Sequence, residues 1–302
     1  MSRTPLALGL LLSFAIAQDV VVEKPPVRPE TEGVLLKVQL RRGQRYTGAN
    51  TVSYSVSVTT RQGQKEVTET EAVERTERFI DDVRRADLNG VLEIERTYMK
   101  LFTKARTDDD LRPEIYQSPL QGQKVELRER HRRRDLKVAG GRGTVDALVR
   151  RTAGMELDWR DIFRDEPVRP GDSWDAEVGG LARAVAAYLN SGTRSKMRVR
   201  FEEVIDNGGA QQAKLYVDWT LEGMRDRHLF TKVTVAGDVF FDLELERVVA
   251  VDLVGNMVVR GAIIGNGPPM IVKGEGQVFI KSSLKTTEIE AAPEEETGKG
   301  EE

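Results

Sequence analysis

The chain has 302 residues, with 46 lysines and arginines against 49 aspartates and glutamates, and it contains no cysteine. These counts exclude a disulfide framework, a thiol nucleophile and any metal or iron–sulfur site held by cysteine. With 39% hydrophobic and 31% charged residues, the chain is polar but keeps the composition of a globular protein.

The first 17 residues have the pattern of a secretory signal peptide. Arg3 precedes an apolar run at residues 5–16, and the small residues of Ala15-Ile16-Ala17 predict cleavage after Ala17. The run is too short to span ~30 Å of hydrocarbon, and no later segment is apolar enough to be a transmembrane helix. We therefore expect a periplasmic or extracellular protein, with residues 18–32 as a proline-rich linker.

Alternation of apolar and polar residues dominates the chain after this linker. In residues 52–58, for example, Val52, Tyr54 and Val56 share one face while serines occupy the other. Such strands have one face in a core and one in water, which is typical of antiparallel sheets. The same pattern recurs at residues 197–201, 215–221, 241–245 and 249–253. The predicted fold class is therefore mainly β, with a minor helical part.

Turns and helices divide these strands. Turn residues occur at 61–63, 88–90, 207–209 and 265–269, and a further turn is expected near Glu246-Arg247. Residues 106–118 are predicted to be a loop. One helix is predicted over Leu181–Leu189, ended by Asn190-Ser191-Gly192, and a second, shorter one around Met155–Phe163.

A faint internal repeat predicts two similar antiparallel halves. Arg41–Tyr46 and Arg169–Trp174 both read Arg-x-Gly-x-x-aromatic, and each precedes a series of strands. The predicted halves are residues 33–150 and 169–285, joined by a connecting segment at 151–168.

Residues 286–302 carry seven acids and one lysine, and are predicted to be a disordered acidic tail.

A run of arginines at residues 128–134 allows two interpretations: an anion-binding or nucleic-acid patch, or the solvated end of a β-hairpin. Val125 and Leu127 are odd-numbered whereas Leu136 and Val138 are even-numbered, and this change of inward parity favours a hairpin. Nucleic acid is not expected as a partner, because the pI is about 5.8 and the run lacks aromatic residues. The arginines kept as candidates for a partner surface are Arg128, Arg130, Arg132, Arg133 and Arg134.

Five short segments of the chain resemble those of a known family: 43–46, 118–122, 166–174, 241–243 and 249–253. Together they resemble a family of exported bacterial proteins assigned only to a domain of unknown function, over most of residues 33–284. The resemblance implies no catalytic or ligand-binding residue. The architecture is more loosely similar to LolA-like periplasmic lipoprotein carriers, which hold lipid between the concave face of a sheet and covering helices.

No catalytic or cofactor motif is present: the nucleophile elbow, the P-loop, the dinucleotide fingerprint and the His-Glu-x-x-His motif are all absent. His131 and His228 are the only histidines, and each is expected at a surface or strand end. Asp108-Asp109-Asp110 could attract a cation but lacks EF-hand spacing. No cofactor and no metal ion are therefore predicted.

The faces of the three tryptophans could stack on sugars, but core or plug roles are favoured for all three. Trp219 shares the apolar face of its strand, and Trp174 follows a turn as Tyr46 does, so both are expected in the core. Trp159 is expected to be the most exposed of the three and is kept as a candidate for a partner surface.

The favoured hypothesis is a non-catalytic exported envelope protein that binds a protein, lipid or polymer partner. A carboxylate-dependent hydrolase of envelope polysaccharide is an alternative, and it requires a cleft with a carboxyl group of raised pKa. A structural cell-surface protein is the third possibility.

Overall fold

The structure, a computed structural model, describes residues 33–86, 91–108, 112–130, 133–138, 157–189, 193–224, 228–264 and 268–287. The predicted signal peptide, the linker at 18–32, the turn at 88–90 and nearly all of the acidic tail lie outside the described residues, so they stay predictions.

The described residues form twelve β-strands, one α-helix and one 3-10 helix. The strands are β1 (Arg45–Gln62), β2 (Lys65–Ala86), β3 (Val91–Thr107), β4 (Glu114–Gln117), β5 (Lys124–Arg130), β6 (Arg133–Val138), β7 (Ser173–Ala176), β8 (Arg194–Asn207), β9 (Ala210–Met224), β10 (Leu229–Asp242), β11 (Arg247–Ile263) and β12 (Met270–Thr287). The 3-10 helix is Trp159–Ile162, and the α-helix α1 is Gly179–Leu189. The prediction of a mainly β, antiparallel fold is confirmed.

All the strands belong to one antiparallel sheet, in the order β6-β5-β3-β2-β1-β12-β11-β10-β9-β8-β7. Strand β4 pairs with β3 beyond the part that β5 occupies. Strands β1–β6 and strands β7–β12 each run as a meander, and the pairing of β1 with β12 joins them, from Arg45↔Thr287 to Arg61↔Ile271. The two predicted halves therefore share one continuous sheet.

One face of this sheet forms the core, and we call it the inner face. On β1 the even-numbered residues Tyr46, Val52, Tyr54 and Val56 are buried, while the intervening positions are more exposed. The same alternation on β8, β9 and β10 confirms the predicted strands with one apolar face.

The sheet bends sharply at β11. Strands β10 and β12 are separated by β11, yet their Cα atoms approach within 8 Å, whereas a flat sheet would hold them about 9.6 Å apart. Glycine also allows adjacent strands to approach closely: a Cβ atom at Gly255 on β11 would lie 1.9 Å from the Thr234 carbonyl oxygen on β10, and one at Gly276 on β12 would lie 1.9 Å from that of Ser55 on β1. These positions therefore exclude side chains where the strands crowd together.

Helix α1 packs on the inner face, against β1, β8 and the 3-10 helix. Leu181, Val185 and Leu189 are fully buried there, together with the alanines between them. The predicted helix is thus confirmed, and the predicted short helix near residues 155–163 is the 3-10 helix, whose Trp159 and Ile162 are buried.

The two turns of the predicted repeat have the same geometry. Gly43 and Gly171 have φ angles of 85° and 95°, which strain any residue with a side chain. The Gly43 amide donates to the Val83 carbonyl at 2.9 Å, and the Gly171 amide donates to that of Phe201 at 2.7 Å. Each acceptor residue donates back to the carbonyl that follows the glycine, at 2.9 Å in both cases. The two turns of the predicted repeat therefore share their backbone hydrogen bonds, and the similarity of the complete halves stays a prediction.

Two local predictions were wrong or incomplete. Residues 106–118 are not only a loop, because β3 continues to Thr107 and Glu114–Gln117 form β4 on its edge. The strand predicted at 241–245 ends at Asp242, because residues 243–246 form the turn to β11. Strand β2 is 22 residues long, although an apolar pattern marks only its part at 79–83. Its remainder is rich in glutamate and threonine, so tertiary pairing with β1 and β3, rather than an apolar pattern, makes it a strand.

Neither described helix is long and apolar enough to cross a membrane.

Candidate functional site: a pocket on the inner face

A pocket of about 140 Å³ lies where the inner face of β1–β3 meets the ends of β11 and β12. The segments at residues 38–40 and 157–160 form its remaining walls. Most of its lining is apolar, including Leu40, Leu92, Ile94, Leu157 and Leu284. Four charged side chains, Asp81, Asp158, Arg160 and Arg247, also line it.

Asp81 and Arg96 form a buried, bidentate ion pair beneath the pocket. Arg96 Nε donates to Asp81 Oδ1 at 2.6 Å and Nη2 donates to Oδ2 at 2.6 Å. The Arg96 guanidinium also lies over the Phe79 ring, 3.8 Å from its centroid. Because the Arg96 side chain is only 2% exposed, both charges are taken from water and depend on each other.

The inner face of β2 continues this polar character. Arg75 Nη2 donates to Glu77 Oε1 at 3.1 Å, and Asn50 Nδ2 approaches Glu77 Oε2 at 3.4 Å. Further along the strand, the Tyr54 hydroxyl donates to Glu71 Oε1 at 2.7 Å. The inner face of β1 and β2 therefore carries a hydrogen-bonded polar network, which rigidifies a core when its members are satisfied.

Arg160 links the 3-10 helix to β5 at the edge of the pocket. Its Nε donates to Asp158 Oδ1 at 2.9 Å, and its Nη2 donates to Glu129 Oε2 at 2.7 Å. Burial lowers the pKa of Arg160, but hydrogen bonds and charges from Asp158 and Glu129 outweigh that effect and raise the pKa overall. Arg160 is thus held as a cation between two carboxylates.

Arg247 lies at the end of β11 in a different setting. Its guanidinium carbon lies 3.9 Å from the centroid of the Tyr46 ring. Its Nε donates to the Leu245 carbonyl at 3.1 Å, and its Nη2 donates to Gln44 Oε1 at 3.3 Å. The Tyr46 hydroxyl also donates to Gln44 Oε1. Burial raises the pKa of Tyr46, and the nearby charge of Arg247 partly opposes this shift.

The segment before β1 crosses the end of β11 and closes one side of the pocket. Val34 and Val168 exchange backbone hydrogen bonds at 2.7 and 2.8 Å. Farther along, the Gln39 amide donates to the Glu246 carbonyl at 2.9 Å, and Arg41 Nη2 donates to Glu246 Oε2 at 2.8 Å. These contacts place Val38 and Leu40 over the cavity.

The described part of the arginine run lies in β5 and β6. The structure confirms the predicted hairpin, because Val125 pairs with Val138 and Leu127 with Leu136. Arg128 points to the outer face, where its side chain is 60% exposed and pairs with Glu93 at 3.0 Å. Arg130, Arg133 and Arg134 lie in the two strands without a described side chain, and Arg132 lies outside the described residues. Their role as a partner surface stays a prediction.

Contrary to expectation, Trp159 is not the most exposed of the three tryptophans, and its role in a partner surface stays a prediction. It is 6% exposed and packs edge-on against Trp219, with ring centroids 6.4 Å apart, because the 3-10 helix lies on the inner face of the sheet. Trp159 nevertheless lines the pocket. Trp219 and Trp174 are buried as predicted, and the Trp174 indole donates to the Ile162 carbonyl at 2.8 Å.

Within the described part of the chain, no group of three or more His, Asp or Glu side chains is arranged to hold a metal ion. Asp108 Oδ2 accepts from the Thr70 amide at 2.6 Å, while Asp109 and Asp110 lie outside the described residues. His228 is exposed just before β10.

Sequence reasoning missed Asp81, Arg96 and Arg247, although parity could have identified all three. Asp81 stands between Phe79 and Val83 on the inward register, and Arg96 stands between Ile94 and Tyr98. Arg247 precedes the buried series 249–253 on the same register. A charged residue at an inward position marks either a buried ion pair or a binding site.

No family model matches this chain, and no curated protein matches it. Among solved structures, it is similar to one entitled "Lipid-protein interactions in lipovitellin", with a TM-score of 0.42 and 8% identity, over 84% of this chain but only 26% of that one. It is also similar to DynF from the dynemicin biosynthesis pathway of Micromonospora chersina, with a TM-score of 0.20 and 10% identity, over 86% of this chain and 92% of DynF. A third is MucB in complex with MucA(peri), with a TM-score of 0.08 and 11% identity, over 75% and 88% of the chains. Likeness at these levels says nothing about function, so the resemblance to an exported family and to LolA-like carriers stays a prediction.

Proposed function

We propose that this protein is a non-catalytic binding protein of the bacterial envelope, and that its inner-face pocket holds the apolar chain of a lipid. The observation that carries the proposal is the pocket itself, a mainly apolar cavity on the inner face of the sheet, walled by Leu92, Ile94 and Leu284. Ligand pockets of this kind are mostly apolar, with few convergent polar groups.

The size of the pocket selects the part of the ligand that it can enclose. At about 140 Å³ it is close to the cavity of roughly 150 Å³ that takes up benzene in another protein. It therefore accommodates one short or partly inserted acyl chain. A folded protein partner would need a broad exposed surface instead.

The hydrolase alternative finds less support in the same pocket. A general acid needs a carboxyl group whose neutral form is favoured. The carboxylates that line the pocket accept hydrogen bonds from arginines, Asp81 from Arg96 and Asp158 from Arg160. Such partners favour the ionised form of a carboxyl group, which suits a fixed charge rather than a proton donor.

The test is a titration of the protein with octanol, followed by the methyl NMR signals of its leucines and isoleucines. We expect shifts confined to Leu40, Leu92, Ile94 and Leu284. The variant Leu284→Trp, which fills the cavity, should lose these shifts. The matched control is Val254→Trp, since Val254 is 50% exposed on the outer face, and it should bind octanol as the wild type does.

Native mass spectrometry of the protein taken from its own cell extract gives an independent result. A retained lipid mass that disappears on organic extraction, and that Leu284→Trp lacks, would support the proposal. Octanol shifts scattered over the outer face, or unchanged in Leu284→Trp, would refute it.

A further inference from the structure

Arg247 has hydrogen-bonding capacity that the protein itself does not use. The residue is only 2% exposed and lines the pocket. Its Nε and Nη2 donate to Leu245 and Gln44, but Nη1 is buried and has no hydrogen-bond partner. A guanidinium has five N–H donors, two of them on this nitrogen. Water does not satisfy them either, because the atom is shielded from solvent.

The charge of Arg247 is also unmatched. Within the described residues no carboxylate oxygen lies within 4.0 Å of its guanidinium nitrogens, whereas Arg96 and Arg160 each have such a partner. Asp242 is its cross-strand neighbour, but Asp242 Oδ1 accepts from the amides of the following turn, at 2.9 and 3.0 Å. A buried cation without a paired anion is strongly unfavourable, so an arginine at this position needs another explanation.

The remaining charges in the pocket do not compete for an incoming anion. Asp81 is neutralised by Arg96, and Arg160 is already bound to both Asp158 and Glu129. Among the described residues that line the pocket, Arg247 is thus the one cation without a paired carboxylate. The guanidinium lies over the Tyr46 ring and is held by hydrogen bonds from Nε to the Leu245 carbonyl and from Nη2 to Gln44 Oε1.

We propose that the pocket recognises an anionic amphiphile, whose carboxylate or phosphate head accepts hydrogen bonds from Arg247 while its apolar chain lies against Leu92, Ile94 and Leu284. This inference rests on the proposed function and names the ligand class of the same site. Because Nη1 is shielded from solvent where it stands, binding of the head group requires the guanidinium to turn and to give up its 3.3 Å hydrogen bond to Gln44 Oε1. Arginine suits both head groups because its planar fork matches their oxygens.

The experiment compares ligands that share one chain and differ only in the head. The full chain is titrated with octanoate, octyl phosphate and octanol at neutral pH, again by methyl NMR. We expect at least one of the two anions to bind about tenfold more tightly than octanol, as a charge-assisted hydrogen bond gives. Whichever anion binds more tightly identifies the head group as carboxylate or phosphate.

In the variant Arg247→Gln the preference should disappear, so that the anion binds no more tightly than octanol binds to the same variant. Arg247→Lys keeps the charge but lacks the planar fork, so its preference for the anion over octanol should lie between those of the wild type and Arg247→Gln. The matched control is Arg200→Gln, which removes an exposed arginine from β8 and should change neither affinity. Thermal unfolding identifies any variant that fails to fold. If a variant does not fold, the titrations of the wild type with the three ligands still test the inference.

The outcomes separate the two proposals. Equal binding of octanol and both anions to the wild type would overturn the inference about Arg247 and leave the proposed function standing. An equal loss of octanol and anion binding in a folded Arg247→Gln protein would also overturn the inference, since it would mean that Arg247 only shapes the cavity. If no ligand of the series binds, the proposed function itself is refuted.

Discussion

Strands β7–β12 and strands β1–β6 share one sheet, but they use its inner face differently. On β8, β9 and β10 the inner face is mainly apolar, and α1, which packs on β1 and β8, adds Leu181, Val185 and Leu189 to the same core. On β1, β2 and β3 the inner face carries Asp81, Arg96 and other buried charged groups, and a pocket remains beside it. The first region is built as a core, and the second holds polar side chains in fixed positions next to a cavity.

This difference indicates where stability and binding reside. An apolar face filled by a helix stabilises the fold through burial and close packing. A buried ion pair adds little net stability over an apolar pair of the same shape, but removing one partner is costly. The charged inner face of β1–β3 is therefore better explained by a need for fixed polar geometry than by a need for stability.

The largest expected effect comes from breaking the ion pair of the polar region. Asp81→Asn leaves the Arg96 guanidinium buried without its anion, so the free energy of unfolding should fall by about 3–5 kcal/mol. Equilibrium urea unfolding measures this. Asp82 offers a matched control, because it is the next residue and pairs with the half-exposed Arg45 on the other face of the strand. Asp82→Asn should cost about 1 kcal/mol or less. Equal losses in the two variants would contradict the distinction between the inner and outer faces.

The apolar region is tested by Leu181→Ala in α1. Leu181 is fully buried, and Leu→Ala substitutions in cores cost about 2–5 kcal/mol, depending on how far the cavity collapses. Urea unfolding should show a loss of that size, with octanol binding retained once the protein is folded. Arg183→Ala on the exposed side of the same helix should stay within about 0.5 kcal/mol of the wild type. Loss of octanol binding in folded Leu181→Ala would mean that the two regions are not independent.

The two repeated turns allow a finer comparison. Trp174 follows Gly171, and its indole donates to the Ile162 carbonyl, whereas Tyr46 follows Gly43 and donates to the Gln44 side chain. Trp174→Phe leaves a buried carbonyl without its donor and should cost about 1–3 kcal/mol, whereas Tyr46→Phe should cost about 1 kcal/mol. Thermal unfolding measures both. A larger loss for Tyr46→Phe would contradict this prediction, because it would mean that the hydrogen bond at the Gly43 turn stabilises the fold more than the one at the Gly171 turn.

The strands of the apolar region could be predicted from the sequence, because their burial follows the alternation of residues. Met197, Val199 and Phe201 share a register with no polar exception, and the structure buries all three. Strand β2 was mostly missed, since its inward residues are charged and only pairing with two neighbouring strands makes them a strand. Such long-range pairing is not encoded in local pattern.

The pocket could not be predicted for a related reason. Its walls come from β1–β3, from the ends of β11 and β12 and from the segments at 38–40 and 157–160, which are far apart in the chain. The sequence suggested Trp159 as an exposed surface residue, because nothing local shows that its 3-10 helix lies on the sheet. It did allow the hairpin of β5 and β6 to be placed, since inward parity changes between Leu127 and Leu136.

The smallest expected effect concerns acid stability at the outer face of the polar region. The hydrogen bond from Arg45 lowers the pKa of Asp82 below its ordinary value, with a smaller contribution from the Arg84 charge, and burial only partly opposes this shift. A carboxyl group with a lowered pKa stabilises the folded state above its unfolded pKa of about 3.9, and this contribution is lost as the pH falls through the folded value. Arg45→Gln should therefore reduce the free energy of unfolding by about 0.5 kcal/mol at neutral pH, and the difference from the wild type should disappear in acid below the folded pKa of Asp82. Urea unfolding over a pH series measures the difference. A gap that stays constant in acid would show that Arg45 acts through the packing of its side chain rather than through the Asp82 carboxylate, and that the outer face, like the inner one, depends on more than charge.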